Sequence, residues 1–358
     1  MDRNGLMTAF SIMFFVLLSL TSFDSALAQQ EKLKMGYAFG PAHLYHMGAM
    51  KFADKVREDS KGEIKIDPYP SGQIVPYGET LKALQSGVID LAIIPTRQLS
   101  SGVPEFQVLA LPMIVGDARN LYRFLNGVGQ AKIASSFDSI GLKNMAWFDS
   151  GFLQVLSRTK ILSISDFKNL KVGTKPVPYN VAFFQKLNAV PIEVKYPEVY
   201  SALKSGVIDA FEAPLRYKYP LIEQTKYVAL TSHEFLLASL AINRKSFEKL
   251  GPEHQNILLD AASESGHFER RSRINLEVSE REKISGMGIE IIPLDRANLR
   301  KTATPIFQSF KEKEPALAGF MAELLSVGNG TRPCDSDECR CDDGNCHPET
   351  DECCQEIS

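Results

Sequence analysis

The segments ALQSGVID (residues 83–90) and ALKSGVID (residues 202–209) are identical at seven of their eight positions. In each copy a helical pattern ends at the glycine, which accepts the left-handed conformation that commonly follows a helix C-terminus. The apolar runs that follow predict buried strands over residues 88–94 and 207–211. Such a unit can recur by chance, but so close a match favours a paired architecture of two similar lobes.

The flanking segments indicate how each lobe is built. EKLKMGYAF (residues 31–39) and EIKIDPYP (residues 63–70) alternate between apolar and polar residues and read as strands, with a helix over residues 49–58 between them. This β-α-β order favours a parallel sheet with helices on its faces, so the predicted fold class is α/β.

The carboxyl ends of the two repeated strands are the first candidates for a binding site, because ligands of open α/β sheets bind at such ends. The residues concerned are Pro95, Thr96 and Arg97 after the first copy and Glu212, Ala213 and Pro214 at the second.

The C-terminal half of the body is predicted to be largely helical. Residues 252–287 form a helical pattern about 50 Å long at 1.5 Å per residue, which is longer than one small lobe, so this helix is expected to lie against both lobes. GIEIIPL (residues 288–294) reads as a strand, and residues 296–326 as a helical region interrupted near Pro305 and Pro315.

The composition is that of a globular protein of about two domains, with 44% hydrophobic and 23% charged residues. No run of Lys or Arg suggests a nucleic-acid or membrane-surface partner. The sequence contains no nucleophile elbow, phosphate-binding loop, dinucleotide fingerprint or HExxH motif, so we expect neither an enzyme nor a cofactor.

The N-terminus has the features of a secretory leader. Arg3 precedes an apolar stretch from Leu6 to Leu20, and Ala26-Leu27-Ala28 offers a cleavage site. The apolar run is shorter than the ~20 residues of a membrane-spanning helix. We therefore expect cleavage after Ala28 and a mature protein exported to the periplasm.

The C-terminal tail over residues 329–358 is acidic and holds all the cysteines of the chain. Nine Asp and Glu residues accompany the single Arg340 after Pro333. In an exported protein this cysteine spacing suggests a disulfide knot first and a soft-metal site second. The cysteines are Cys334, Cys339, Cys341, Cys346, Cys353 and Cys354.

From about Lys32 to Val327 the sequence resembles the solute-binding proteins of tripartite ATP-independent periplasmic (TRAP) transporters. The order and spacing of several segments carry the resemblance: GAMKFADKV, YPSGQI, ALQSGVIDLAIIPT, PEFQVLALP, LSISDFKNLKV, YPEVYSALKSGVIDAFEAPL and YVALTSH. The resemblance implies a two-lobed periplasmic-binding-protein-like fold with a hinge, and a non-catalytic receptor that passes a small molecule to a membrane permease.

The resemblance also implies that the chain crosses more than once between lobes. The expected first lobe comprises residues 29–150 and 239–278, and the expected second lobe comprises residues 151–238 and 279–328, with the long helix running across both.

Three positions depart from the family pattern at the expected ligand site. Gly173 stands where family members carry an arginine that clamps an organic acid, Leu153 replaces a second arginine, and Ala213 replaces an asparagine beside Glu212. A guanidinium–carboxylate pair supplies charge and planar geometry that none of these side chains can replace.

Two interpretations of the missing clamp remain open. Another cation replaces it, with Lys175, Arg97, Arg158 and Arg216 as candidates, or the ligand is neutral, aromatic or cationic. Lys175 lies two residues after Gly173 and would share its face of a strand, which makes it the best local substitute.

Further ligand-contact candidates lie in segments expected near the cleft, where aromatic rings could stack on a ligand or hold a cation. They are Tyr37, Phe39, His43, Trp147, Phe152, Tyr179, Tyr196, Phe211 and His233. The sequence thus predicts a receptor for a small organic molecule, with an organic anion favoured. The alternative is a ligand sensor or metal-handling protein on the same scaffold that works through its tail.

Overall fold

The computed structural model describes residues 30–215 and 222–327. The predicted leader (residues 1–28), Arg216 and the cysteine-rich tail (residues 329–358) lie outside the described residues.

The described residues form ten strands and twelve α-helices. The strands are β1 (Glu31–Gly36), β2 (Ile64–Tyr69), β3 (Leu91–Pro95), β4 (Leu142–Ser157), β5 (Lys171–Thr174), β6 (Val190–Glu193), β7 (Ala210–Pro214), β8 (Tyr227–Leu230), β9 (Phe235–Asn243) and β10 (Glu290–Pro293). The helices are α1 (Leu44–Asp59), α2 (Thr80–Ser86), α3 (Thr96–Leu99), α4 (Glu105–Leu109), α5 (Ala118–Asn126), α6 (Gln130–Ser139), α7 (Pro178–Lys186), α8 (Val199–Ser205), α9 (Arg244–Glu248), α10 (Pro252–Gly286), α11 (Arg296–Lys313) and α12 (Ala318–Val327).

The strands form two sheet regions that share one long strand, which confirms the predicted α/β fold. The hydrogen-bonded order is β2-β1-β3-β9-β4-β7-β5-β6, with β8 on β4 and β10 on β8. We call the region of β1, β2, β3, β9 and the first part of β4 the first lobe. The second lobe contains the last part of β4 with β5, β6, β7, β8 and β10.

The hinge region lies where β4 changes partner. β4 pairs with β9 as far as Phe152 and with β7 from Leu153 onward, with a register shift between Asp149 and Phe152. Gly151 lies within this shift at φ +74°, a conformation that costs an L-residue roughly 1–2 kcal/mol. The strand therefore changes partner at a position that favours glycine.

The two repeated segments have the same local structure, one in each lobe. Gly87 and Gly206 both have φ +75° and end helices α2 and α8. The two aspartates also match: the Asp90 carboxylate accepts the N–H of Lys34 in β1, and the Asp209 carboxylate accepts that of Lys171 in β5. Each repeat thus joins a helix end to the neighbouring parallel strand.

The predicted starts of the repeated strands were wrong. The strands begin at Leu91 and Ala210, because the residues after each glycine first complete the helix end. Val88 donates its N–H to the carbonyl of Ala83 (3.0 Å) and is 60% exposed, and Val207 is 52% exposed. The apolar side chains of Val88 and Val207 were therefore not a sign of buried strand residues.

Helix α10 lies against both lobes, as its length predicted. Leu258 and Ala262 belong to an apolar cluster with Phe52 and Phe148 in the first lobe. Ile284, nearly seven turns along the same helix, packs in a second-lobe cluster that includes Phe211. One rigid element thus connects the two cores.

The last two helices also contact both lobes. Phe310 of α11 packs on Tyr179 of α7, and Phe320 of α12 packs on Phe124 of α5, with ring centroids 5.7 and 4.9 Å apart.

The expected interruption near Pro305 was wrong: α11 continues through this proline, because its buried apolar face compensates for the lost backbone hydrogen bond. The boundaries assigned to the lobes stay a prediction.

Candidate ligand-binding site

A cluster of charged and amide side chains lies where both lobes meet the hinge region. Arg97 in α3 follows strand β3 of the first lobe, and Glu212 lies in strand β7 of the second lobe. His233 and Glu234 belong to the link between β8 and β9, which passes from the second lobe to the first. The ends of the two repeated strands are therefore brought together, as expected from the sequence.

Arg97 and Glu234 form a two-pronged ion pair. The Nε of Arg97 donates to Oε1 of Glu234 (2.6 Å), and Nη2 donates to Oε2. The Glu234 side chain is only 2% exposed. Burial opposes the charge of Arg97, but the Glu234 carboxylate outweighs this effect and raises the pKa of Arg97.

Glu212 is buried and surrounded by hydrogen-bond donors. Its carboxylate accepts from the Thr174 hydroxyl (2.5 Å) and the backbone N–H of Lys175 (3.2 Å), and it pairs with His233 Nε2 at 3.0 Å. Burial disfavours the ionised carboxylate, but hydrogen bonds from His233 and Thr174 and the charge of Arg97 lower the pKa of Glu212 to about 2. Glu212 is therefore a carboxylate at neutral pH.

Asn180 bridges the two buried carboxylates. Its Nδ2 donates to Glu234 Oε2 (2.7 Å) and to Glu212 Oε2 (3.3 Å). Asn180 is fully buried, and its Oδ1 accepts no hydrogen bond from any described residue. The Asn180 amide nitrogen thus donates to two protein carboxylates, while its amide oxygen has no donor among the described residues.

His233 is held in place from several sides. Its ring stacks on Phe183 (centroids 5.9 Å apart, planes at 15°) and meets Phe184 edge-on at 5.3 Å. Nδ1 lies 2.8 Å from the Thr231 hydroxyl, so both ring nitrogens have partners. His233 positions Glu212 and is itself completely buried.

Lys175 is the cluster's remaining cation. In the part of the chain that the structure describes, its ammonium group forms no ion pair or hydrogen bond, and its side chain stays accessible to solvent. The protein atoms around it and the nearby charge of Arg97 lower the pKa of Lys175, while Glu212 and Glu234 oppose this shift. An accessible, unpaired cation among protein walls is what an anionic ligand requires.

The position of the missing family arginine is filled by apolar atoms. A Cβ added at Gly173 would lie 2.7 Å from Ile208 Cδ1 and 3.1 Å from Phe211 Cδ2. Ala213 is buried in the same apolar cluster as Phe211, and Leu153 is buried nearby in β4. Phe211 is therefore a core residue, and this face of the second lobe has no space for a clamp at position 173.

Several other predicted site residues have structural contacts. Tyr37 is buried and its hydroxyl lies 2.9 Å from His46 Nδ1, while His43 caps helix α1 by accepting the Tyr45 N–H. Phe39 contacts the rings of His43 and Tyr45. These side chains form a group of their own around the start of α1.

The remaining candidates are spread over the structure. Trp147 packs in the core against Phe106, and the Thr96 hydroxyl donates to the carbonyl of Leu237. Phe152 lies in the hinge region against Phe235, Tyr179 packs on Phe310, and Tyr196 is 47% exposed. The Arg158 guanidinium donates to the Leu203 carbonyl, away from the cluster described above.

Sequence reasoning missed Glu234, Asn180 and Thr174. Glu234 directly follows His233, so a carboxylate beside a candidate histidine was a usable signal. Asn180 and Thr174 carried no comparable signal, because their contacts form only when β5, α7 and the β8–β9 link come together.

A second buried charged cluster in the hinge region was also missed. Asp149 accepts a hydrogen bond from the Tyr122 hydroxyl (2.6 Å) and forms an ion pair with Arg273 of α10 (2.7 Å). Its backbone N–H donates to Glu269, also in α10 (3.0 Å). These contacts fix the long helix to the point at which β4 changes partner.

Two surface cavities lie away from the Arg97–Glu212 cluster. One of about 260 Å³ is bounded by Asp117 and Arg300, and one of about 250 Å³ by Ser163 and Asn298. We do not assign the ligand to either, because neither lies at the carboxyl ends of the repeated strands.

None of the helices within residues 30–215 and 222–327 has the length and apolarity needed to cross a bilayer.

Comparisons with known proteins agree with this architecture. The chain is 29% identical over 285 residues to the 2,3-diketo-L-gulonate-binding periplasmic protein of Escherichia coli (strain K12), covering 77% of this chain and 86% of that protein. It is similar to a TRAP periplasmic solute-binding protein of Ochrobactrum anthropi, solved with its C-terminus bound in the ligand-binding pocket (25% identity, TM-score 0.79, 84% and 97% of the two chains). The corresponding Roseobacter denitrificans protein with bound β-D-glucuronate shares the fold (22% identity, TM-score 0.75, 83% and 99%).

The family model described as bacterial extracellular solute-binding protein, family 7, matches residues 35–314, which is most of the chain. This match confirms the resemblance inferred from the ordered sequence segments. The protein therefore belongs to the bacterial extracellular solute-binding protein family 7, which includes the receptors of TRAP transporters.

Proposed function

We propose that this protein is a periplasmic receptor that binds a six-carbon hydroxylated monocarboxylic acid between its lobes and delivers it to a TRAP membrane permease. The observation that carries the proposal is Lys175, an accessible cation without an ion-pair partner among the described residues, beside the buried network of Arg97, Glu212 and Glu234. Export to the periplasm and a permease partner are supported by the family and by the leader-like N-terminus.

The charges around the site favour Lys175 as the carboxylate anchor. Arg97 directs one edge of its guanidinium, Nε and Nη2, at the Glu234 carboxylate, so its charge is already balanced by a buried partner. Lys175 has no competing partner among the described residues and lies two residues after the position of the missing arginine. A ligand carboxylate at Lys175 forms a charge-assisted hydrogen bond, which contributes about 1.5–3 kcal/mol.

The relatives support a sugar acid as the ligand class. The Escherichia coli relative is named for 2,3-diketo-L-gulonate, and the Roseobacter denitrificans structure holds β-D-glucuronate. Both ligands combine one carboxylate with several oxygen substituents on six carbons. Among the described residues, the site offers the unpaired Lys175 ammonium group and several buried polar groups, which suits this combination.

The test is a thermal-shift and calorimetric screen of the mature protein with glucuronate, galacturonate and galactonate. Binding to the native state alone stabilises it by about 2.7 kcal/mol at a ligand concentration of 100 Kd, so the melting temperature should rise. If none of the three acids raises the melting temperature, and an amine or neutral metabolite does, the proposed ligand class is wrong.

The role of Lys175 is tested by comparing Lys175→Met, Lys175→Arg and Lys168→Met. We expect Lys175→Met to weaken binding by about 10- to 150-fold, equivalent to the loss of one charge-assisted hydrogen bond. Lys168→Met removes an exposed charge from the same lobe and should leave Kd within about twofold. Unchanged affinity in Lys175→Met would exclude Lys175 as the anchor.

A pH series gives an independent measure of the same role. The wild-type affinity for the acid should fall as pH rises through the lowered pKa of Lys175, because only the protonated amine attracts the carboxylate. Lys175→Arg stays charged at these pH values, so the fall should be absent in this variant.

A further inference from the structure

We propose that Glu212, Asn180 and Glu234 form an acceptor wall that recognises ligand hydroxyl groups and excludes a second carboxylate. This inference rests on the proposed function and defines its specificity. The protein would accept hydroxylated monocarboxylates and reject both the corresponding dicarboxylates and acids without hydroxyl groups.

Two buried amide oxygens of the described residues have unused hydrogen-bonding capacity. Asn180 is fully buried and donates through Nδ2 to both carboxylates, whereas its Oδ1 has no donor among the described residues. Gln98, next to Arg97, is arranged similarly: Nε2 donates to the Tyr77 carbonyl, and buried Oε1 has no described donor. Both unpaired atoms are acceptors, so they are complementary to a hydroxyl group and not to a carboxylate.

The distribution of charge at the wall disfavours a second carboxylate. Asn180 Nδ2 is within hydrogen-bonding distance of Glu212 and Glu234, so the two carboxylates lie on either side of one amide. Arg97 is already paired with Glu234, and the partners of Glu212 are the side chains of Thr174, Asn180 and His233 and one backbone N–H. A second ligand carboxylate at this wall would face two like charges, and the Arg97 guanidinium beside them is already paired with Glu234, which disfavours binding.

The unused acceptors and the charge distribution favour the same orientation of the ligand. The carboxylate binds at Lys175, and the hydroxyl groups bind toward Asn180 and Gln98. A site that hydrogen-bonds ligand hydroxyl groups rejects an analogue that lacks them, because its buried acceptors then remain unpaired. An alternative is that Glu234 releases Arg97 to hold a second carboxylate, and the same experiment separates the two arrangements.

The experiment measures Kd by calorimetry for wild-type protein with matched acids. The reference is the tightest of glucuronate, galacturonate and galactonate, compared with galactarate, which adds a carboxylate, and hexanoate, which lacks the hydroxyl groups. We expect galactarate to bind at least 10-fold and hexanoate at least 100-fold more weakly than the reference. Equal or tighter binding of galactarate would overturn the acceptor wall and favour release of Arg97.

A variant tests the wall directly. Glu234→Gln removes one negative charge, takes away the ionic partner of Arg97 and keeps a side chain of similar size, so it should reduce the discrimination against galactarate by at least 10-fold. Glu193→Gln, which neutralises an exposed carboxylate of the second lobe, is the control and should leave the ratio unchanged. A folded Glu234→Gln variant with wild-type discrimination would contradict the proposal, and if the variant does not fold, the wild-type ligand series decides.

The outcomes separate this inference from the proposed function. If the reference acid binds but galactarate and hexanoate bind equally well, the protein is a sugar-acid receptor and the acceptor wall is wrong. If no acid binds, the proposed function itself is wrong.

Discussion

Glu212 is expected to make an unusually large contribution to stability for a single carboxylate, and Glu212→Gln tests this. The substitution keeps the shape of the side chain and removes its charge. In the wild-type protein the buried carboxylate is held by His233, Thr174 and Asn180, so these groups lose an ionic partner in the variant.

The magnitude follows from the pKa of Glu212, which the folded structure lowers from 4.5 to about 2. A depressed carboxylate pKa means that the folded state binds the proton more weakly than the unfolded chain, so the stabilisation is complete above about pH 5. A difference of about 2.5 pH units at 1.36 kcal/mol each gives about 3 kcal/mol at pH 7. The same relation leaves about 1.4 kcal/mol at pH 3 and less than about 0.5 kcal/mol at pH 2.

The assay is urea unfolding of wild-type and Glu212→Gln protein at pH 7, 4 and 3. The free energy of unfolding of the variant should be lower by about 3 kcal/mol at pH 7, and this gap should shrink as pH falls toward 3. Other carboxylates titrate in both proteins, so the difference in unfolding free energy between wild type and variant reports the contribution of Glu212. A gap below about 0.5 kcal/mol at pH 7, or one that stays constant down to pH 3, would refute the reasoning.

Two further predictions concern the departure from the family pattern and the hinge region. Gly173→Arg should lower the free energy of unfolding by about 1–3 kcal/mol without improving sugar-acid affinity, because a Cβ there would collide with Ile208 and Phe211. The control for urea unfolding is Gly319→Arg, because a Cβ at position 319 meets nothing within 4 Å. Asp149→Asn should cost about 2 kcal/mol in the same assay, because the largely buried Arg273 loses its fully buried partner and keeps only the more exposed Glu277. Asp138→Asn, which breaks an exposed pair with Arg244, should cost less than about 1 kcal/mol. Restored affinity in Gly173→Arg, or equal losses in the two aspartate variants, would contradict these expectations.

The lobe architecture could be predicted because its signals are local. Gly87 and Gly206 end helices at matching positions, and the spacing of apolar residues marked helix α10 over its whole length. The predicted strand starts were wrong because Val88 and Val207 are apolar but exposed. The aspartates that follow accept hydrogen bonds from a neighbouring strand, which the local sequence does not indicate. A sequence pattern reports a residue type, whereas exposure depends on the strand that packs beside it.

The binding site was less predictable because its partners are distant in sequence. Arg97 and Glu234 are separated by more than a hundred positions, and Asn180 contacts two carboxylates from different segments. The resemblance drew attention to arginines that this chain lacks, so it identified a departure without showing what replaces them. Only the packing of Ile208 and Phe211 around Gly173 shows that the space for the clamp itself is gone.

The position of Glu234 connects ligand recognition to the hinge region. Glu234 lies on the link between β8 and β9, its carboxylate holds Arg97 of the first lobe, and Asn180 of the second lobe donates to it. A ligand that reaches Lys175 and the acceptors of Asn180 and Gln98 therefore contacts both lobes at once. Ligand binding favours a lobe arrangement only by the difference in its affinity for the two states, so a ligand that contacts one lobe alone would bind without closing the protein. Because Gln98 belongs to the first lobe and Lys175 to the second, we expect the hydroxyl groups to contribute to closure as well as to specificity.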